Sequence, residues 1–348
     1  MFDYNHRLNM LREEIKKRSL DALLVTNEAN VSYLSGFRDG DSSLLLTSKR
    51  AFFITDSRYI EEARDSLKLF DIELVRSSTY ETIEKIVGKG LLKRVGFESM
   101  NLSYEVASRL KSTLNAKLAP IKNVVEDMRG IKDSLEVKAI RKSIALAKDV
   151  LSKIMRLAKI GTSEKSLSIE AMISFIGNGA KSAFPPVISA GRNTSKPHAI
   201  PSDNTVKEDS PVMIDIGCSL EGYNSDITRM LFLGRIKAKF KEIYNIVSAA
   251  QDKAIEMIIP GRRISEIDSA ARKYIGDKGF GKYFGHALGH GVGMEVHESP
   301  TVSKMNDDLL RPGMVFTVEP AIYIPKFGGV RIEDMVLVTD TGCEVLTC

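Results

Sequence analysis

Three of the chain's five histidines, His286, His290 and His297, fall within GHALGHGVGMEVHESP at residues 285–300, spaced by Gly285, Gly289, Gly291 and Gly293. Near neutral pH imidazole serves as metal ligand, proton carrier or hydrogen-bond donor. Glycine weakens both helix and strand, so its density here suits a backbone that must come close to something. Acids complete the pattern. PVMIDIGCSLEGYNSDITRMLFLG, residues 211–234, sets Asp215 inside an apolar strand, Val212–Ile216, and Asp226 at the opening of a second, after a polar turn containing Gly222. A hairpin would bring the two side by side. GMVFTVEPAIYI places Glu319 at the end of another apolar strand, and GGVRIEDMVLV places Glu333 inside a fourth.

Burying a carboxylate among apolar neighbours is unfavourable unless something neutralises it. One such acid is most simply an edge position or the partner of an arginine. Four of them beside a glycine-wrapped histidine point to cations held between them. Oxygen ligands with one imidazole form a hard set, suited to Mn2+ or Co2+, with Fe2+ and Zn2+ as alternatives, rather than to a sulfur-rich structural zinc site. Two divalent ions balance four carboxylates and leave room for a bridging hydroxide. Ions about 3.5–4 Å apart bring the pKa of such a water toward neutrality, which is the chemistry of metal-assisted hydrolysis.

Short strands and helices must position these groups. RLNMLREEIKKRSL has helical spacing, DALLVT reads as a strand, SLLLTSKRAFFITD as two strands split by TSKR, and SRYIEEARDSL as helix. This alternation predicts a mixed α/β domain over residues 1–128. A long amphipathic helix is predicted over 134–159, with Val137, Ile140, Ile144, Ala147, Leu151, Ile154 and Ala158 on one stripe and Gly161 ending it. The catalytic domain is expected over 129–348. Within it, residues 161–191 align with 261–291, pairing Gly161 with Gly261, Ala171 with Ala271, Gly179 with Gly279, Phe184 with Phe284 and Gly191 with Gly291. The shared order of elements suggests two similar halves facing each other.

Composition narrows the function. The formal net charge of +5 over 348 residues, with no dense Lys/Arg run, argues against nucleic acid as partner. Cys218, Cys343 and Cys348 show no CxxC spacing and suggest neither a disulfide framework nor a zinc ribbon. No stretch has the apolar length of a signal peptide or membrane span, so a cytoplasmic protein with no membrane partner is expected. His6 is expected to face solvent from the first helix.

In this order, DIGCSLEGYNSDITR, GHGVGMEVHESP, GMVFTVEPAIYIP and GGVRIEDMVLV resemble the pita-bread metallopeptidases, in the branch of Xaa-Pro dipeptidase (prolidase) and aminopeptidase P. The likeness runs from about residue 135 to the end, and EANVSYLSGF and FFITDSRYIEEA are similar to that branch's N-terminal domain. The resemblance implies an α+β fold, with a pita-bread domain of two pseudo-symmetric halves preceded by a smaller mixed α/β domain. It implies five ligands to two metal ions, Asp215, Asp226, His290, Glu319 and Glu333, with Asp226 and Glu333 bridging. His297 would donate to the scissile carbonyl oxygen, His198 would line the substrate pocket, and Glu319 would move a proton to the leaving nitrogen. Arg331 would act beside Glu333. His286 stays open between a rim or core role and a substrate contact, and the Pro185–Pro186 pair departs from the branch's pattern. The implied substrate is a proline-containing dipeptide or short peptide, and the implied assembly a homodimer. Methionine aminopeptidase-like activity is the alternative within the fold, disfavoured by Arg331 where a glutamine is expected. A non-catalytic pita-bread binding protein, or a metal-free creatinase-like hydrolase, would be expected to lack some of the five ligands.

Overall fold

The structure is a computed structural model that describes residues 2–38 and 40–348. The chain divides into two compact units, Met1–Arg129 and Gly130–Cys348.

In the first unit helices α1 (Tyr4–Lys17), α2 (Glu28–Ser35), α3 (Ile60–Ser66), α4 (Thr79–Lys89), α5 (Tyr104–Thr113) and α6 (Val124–Arg129) alternate with six strands. The strands are β1 (Ala22–Val25), β2 (Ser43–Thr47), β3 (Ala51–Thr55), β4 (Asp71–Leu74), β5 (Arg94–Glu98) and β6 (Lys117–Ile121), in the sheet order β4-β3-β2-β1-β5-β6. TSKR is the tight turn of the antiparallel β2–β3 hairpin, where Thr47 N donates to Arg50 O at 2.9 Å. Every residue of β1 and β3 is buried. Continuous apolar runs such as LLV and FFI fit strands covered on both faces.

In the second unit α7 (Ser134–Leu157) opens on a capping box, with Asp133 accepting from Glu136 N and Glu136 accepting from Asp133 N. The helix ends at Leu157, one turn before Gly161, and Val137 lies only partly inside the predicted stripe. Glu136 is buried instead, because its second oxygen accepts from Tyr223 Oη at 3.0 Å. The chain continues through α8 (Glu164–Gly177), β7 (Lys181–Ser182), β8 (Val187–Ala190), β9 (Ser210–Ile216), β10 (Cys218–Leu220), β11 (Tyr223–Asn224) and β12 (Ile227–Leu233). Helices α9 (Ala238–Glu256) and α10 (Ile264–Asp277) follow, then β13 (Gly289–Gly291), β14 (Glu298–Val302), β15 (Val315–Val318), β16 (Ala321–Ile324), β17 (Gly328–Arg331), β18 (Asp334–Val338) and β19 (Cys343–Val345).

The two halves repeat each other in detail. Gly161 N donates to Val206 O and Val206 N to Thr162 O; Gly261 N donates to Leu310 O and Leu310 N to Arg262 O, all at 2.8–2.9 Å. Gly161 and Gly261 have φ of 88° and 83°, and Gly179 and Gly279 have 74° and 83°, positions where a side chain would be strained. These glycine pairs are what the sequence alignment detected. The pair Gly191–Gly291 does not share a conformation: Gly191 has φ 59° in the turn after β8, whereas Gly291 lies in β13. Each half has its own apolar core, around Ile154, Phe175 and Ile214 in the first and Ile243, Ile267 and Phe316 in the second. The three-stranded sheet β12-β9-β8 and the five-stranded sheet β14-β13-β15-β18-β19 meet where Glu333 N donates to Thr228 O at 3.3 Å. Among the described residues no helix is long and apolar enough to cross a membrane.

Candidate metal centre

Strand register places the two aspartates. Asp215 on β9 lies opposite Thr228 on β12. Asp226 stands two residues before Thr228, just ahead of the strand, so the acids are diagonal neighbours on one face rather than directly opposed. The expectation that Asp226 opens a strand and sits beside Asp215 is corrected in this sense. Glu319 follows β15, its N–H donating to Leu288 O at 2.8 Å. Glu333 is not inside a strand: it occupies the break between β17 and β18, where Thr228 Oγ1 donates to its Oε2 at 2.6 Å. His290 is the central residue of β13, and His297 immediately precedes β14.

The glycines serve close approach, and what they approach is neighbouring main chain. None of Gly285, Gly289, Gly291 and Gly293 has a positive φ. A Cβ on Gly289 would stand 1.9 Å from Thr317 O, and one on Gly291 would stand 2.1 Å from Ser299 O. The strand carrying His290 is pressed between neighbouring main chains, and only glycine on either side of the histidine permits that approach.

Asp226, His290 and Glu333 each offer a ligand atom within 4.8 Å of the others. Glu319 Oε1 lies 3.4 Å and Asp226 Oδ2 3.7 Å from His290 Nε2. His290 Nδ1 is 3.2 Å from Gly291 O. A carbonyl can only accept, which assigns the proton to Nδ1 and leaves a bare Nε2 facing two carboxylates. Burial holds this imidazole near a pKa of about 4, so it is neutral at physiological pH. Burial, reinforced by Glu333, Asp215 and Glu319, lifts the Asp226 carboxyl well above its ordinary value. Burial and the charge of Glu319 do the same for Glu333. Burial raises Asp215 and pushes Glu319 up to about 7. Asp215 Oδ1 is buried with no hydrogen-bond partner among the described residues. Lone pairs turned toward one another, an orphaned carboxylate oxygen and four acids whose charged forms are disfavoured together fit divalent cations of the hard, oxygen-preferring kind.

Among the described residues Arg331 is the one buried cation in this group. It pairs with Asp215 and donates through Nε to Thr228 Oγ1 at 3.0 Å and through Nη1 to Tyr323 Oη at 2.6 Å. It therefore stands against Asp215 and is linked to Glu333 through Thr228, while its charge also favours the ionised form of Glu333. Thr228 and Tyr323 were missed in the sequence. Thr228 was recoverable, since it lies two residues beyond Asp226 on the same strand face; nothing in the sequence marks Tyr323.

These groups line a cleft of about 1300 Å³ together with His198, His286 and His297. His198 and His297 are exposed, and the rings of His290 and His297 are 4.2 Å apart. His286 Nδ1 lies 2.7 Å from Ala287 O, and its buried Nε2 has no partner among the described residues. Burial holds its pKa at about 4, so the imidazole is neutral at physiological pH. Phe184, Pro185, Val187, Ile200 and Pro201 give one wall an apolar lining. The two prolines thus have separate tasks: Pro185 faces the cleft, while buried Pro186 accepts from Ser168 Oγ at 3.2 Å. His6 is exposed on α1 of the first unit. Cys218 lies in β10, with its thiol buried between Ser143 and Ser225.

Residues 138–340 match metallopeptidase family M24, and residues 7–131 match the creatinase/prolidase N-terminal domain. The Xaa-Pro dipeptidase of Pyrococcus horikoshii is 38% identical over 349 residues, covering 99% of this chain and 97% of that protein. The structure of an Xaa-Pro dipeptidase from Bacillus anthracis superposes with a TM-score of 0.96 at 36% identity, covering 99% of this chain and 98% of the other. That of an X-Pro aminopeptidase from Thermotoga maritima superposes with a TM-score of 0.88 at 32% identity, covering 95% and 96%.

Proposed function

Because the chain belongs to metallopeptidase family M24, we propose that it hydrolyses the peptide bond before proline, releasing the N-terminal residue from Xaa-Pro dipeptides or short Xaa-Pro peptides. The observation that carries this reading is the convergence of Asp215, Asp226, Glu319 and Glu333 with the bare Nε2 of His290 on one cleft with an apolar wall. These five residues would hold two divalent ions, Mn2+ or Co2+ by ligand type. When bound, the ions would polarise the scissile carbonyl and supply an activated water.

The chain's own groups do the rest. The bond before proline is a tertiary amide without an N–H, and the proline nitrogen is a basic leaving group that must gain a proton. Glu319, at the end of β15, is placed to take a proton on one side of the bond and deliver it to that nitrogen. His297 donates to the carbonyl oxygen as it becomes negative, and His198 lines the same cleft. His286 lines the same cleft as a neutral imidazole and is a candidate substrate contact. Arg331 positions Asp215 and, through Thr228, Glu333. Phe184, Pro185, Val187 and Ile200 suit the pyrrolidine ring. The same reading takes 1–128 as a creatinase-like N-terminal domain and 129–348 as the catalytic domain. The resemblance supports a homodimer, and three unpaired cysteines suit a reducing, cytoplasmic setting.

The dipeptidases among the relatives favour the dipeptide form. Turnover of Ala-Pro is therefore expected to exceed that of Ala-Pro-Gly and of Ala-Pro-Gly-Gly, to stop with a chelator, and to exceed that of Met-Ala. Equal rates on Met-Ala and Ala-Pro would contradict the reading. Faster cleavage of the longer peptides would move it to the aminopeptidase form found in the Thermotoga relative.

A further inference from the structure

We infer that Lys132 and Glu298 form a buried brace that positions His297, which makes both of them positioning residues; the inference rests on the catalytic role proposed for His297. Lys132 Nζ and Glu298 Oε1 meet at 2.8 Å, with the two side chains 1% and 4% exposed. Replacing such a pair by apolar groups of similar size is often neutral or stabilising, so folding alone does not demand it. Its place in the chain suggests what does.

Glu298 follows His297 directly and begins β14. Its Oε2 accepts from Glu295 N at 3.2 Å. A Cβ on Gly293 would stand 2.3 Å from its Oε1, so the segment 293–297 is folded around this carboxylate. The far end of the segment is fixed separately, with Asn224 N and Nδ2 donating to Gly293 O at 2.8 and 3.0 Å. Lys132 is anchored in turn. Its N–H donates to Gly313 O at 2.8 Å, and the next residue, Asp133, caps α7. Among the described residues no hydrogen bond holds the His297 ring; its contact is the His290 ring 4.2 Å away. Where the imidazole stands is therefore set by its main chain, and the brace sets the main chain.

The test is Lys132→Met, alone and with His297→Ala. Lys132→Met is expected to lower kcat by about 10²-fold, as a displacement of roughly 1 Å at a reacting group does, with KM and metal uptake little changed. Lys132→Arg is expected to restore most of the loss. In the His297→Ala background Lys132→Met should cost nothing further, since groups that act as a unit are non-additive. A purely structural role would give additive losses and overturn the inference, as would an unchanged kcat. Should Lys132→Met fail to fold, Lys132→Met with Glu298→Met removes the unpaired charge. That variant is expected to fold and remain slow, and full turnover would overturn the brace. If His297→Ala alone proves silent, the catalytic reading of His297 fails by itself. The brace is then read from the His297 imidazole NMR signals, which should move in Lys132→Met and would overturn it by staying in place.

Discussion

Replacing Glu333 by alanine is expected to abolish hydrolysis, lowering turnover by more than the roughly 10²–10³-fold typical of a single lost oxyanion donor, while leaving the chain folded. Glu333 is one of three residues whose ligand atoms cluster within 4.8 Å. It is also 2% exposed and strongly disfavoured in its charged form by burial and by Glu319. Its removal takes a ligand from the ions and at the same time relieves repulsion among the remaining acids. Thr228 keeps its bond from Arg331 Nε. In the presence of a chelator the variant should therefore melt no lower than the parent, and the parent should gain more stability on adding metal. Circular dichroism melts with and without metal, beside an Ala-Pro assay, check both halves. A folded variant with full turnover would remove Glu333 from the site.

His297→Ala is expected to separate turnover from metal uptake. His297 stands outside the cluster of Asp226, His290 and Glu333, at the rim of the cleft. Desolvation by the cleft wall, with the nearby His198, holds its imidazole below its ordinary pKa, so at neutral pH it is an uncharged N–H donor. Losing such a donor typically lowers turnover by about 10²–10³-fold. Calorimetric titration should give unchanged metal stoichiometry and affinity. A parallel loss of metal binding and activity would place His297 among the ligands instead.

How much of this was legible in the sequence follows from what kind of signal each residue leaves. Acids within apolar runs are conspicuous because burial penalises charge, so Asp215, Asp226, Glu319 and Glu333 announced themselves. The paired halves were traceable through Gly161 and Gly261, whose left-handed conformations demand glycine in both copies. Register was not legible: the diagonal relation of Asp215 and Asp226 depends on which residue ends each strand, and composition does not encode that. The break between β17 and β18 that leaves Glu333 bridged to Thr228 of β12 was hidden for the same reason. The glycines around His290 signalled close approach, but that the approach is to the main chain of β14 and β15 depends on sheet packing, which no local pattern contains. Tyr323 and Lys132 were silent because an ordinary tyrosine in a strand looks the same whether or not it faces a cleft, and an ordinary lysine before a helix looks the same whether or not it is buried in an ion pair.

Metal titration of the exhaustively dialysed chain, with elemental analysis and an activity assay on the same samples, tests the central claim most directly. The account predicts an inactive apo protein that takes up two divalent ions per chain and regains activity in step with them. It also predicts the sign of the pH effect. Glu319, at about 7, and Asp226 and Glu333, raised well above their ordinary values, must release protons for ions to bind, so uptake should liberate protons and strengthen as pH rises from 6 to 8. A dialysed chain that hydrolyses Ala-Pro at full rate with no bound metal would contradict it.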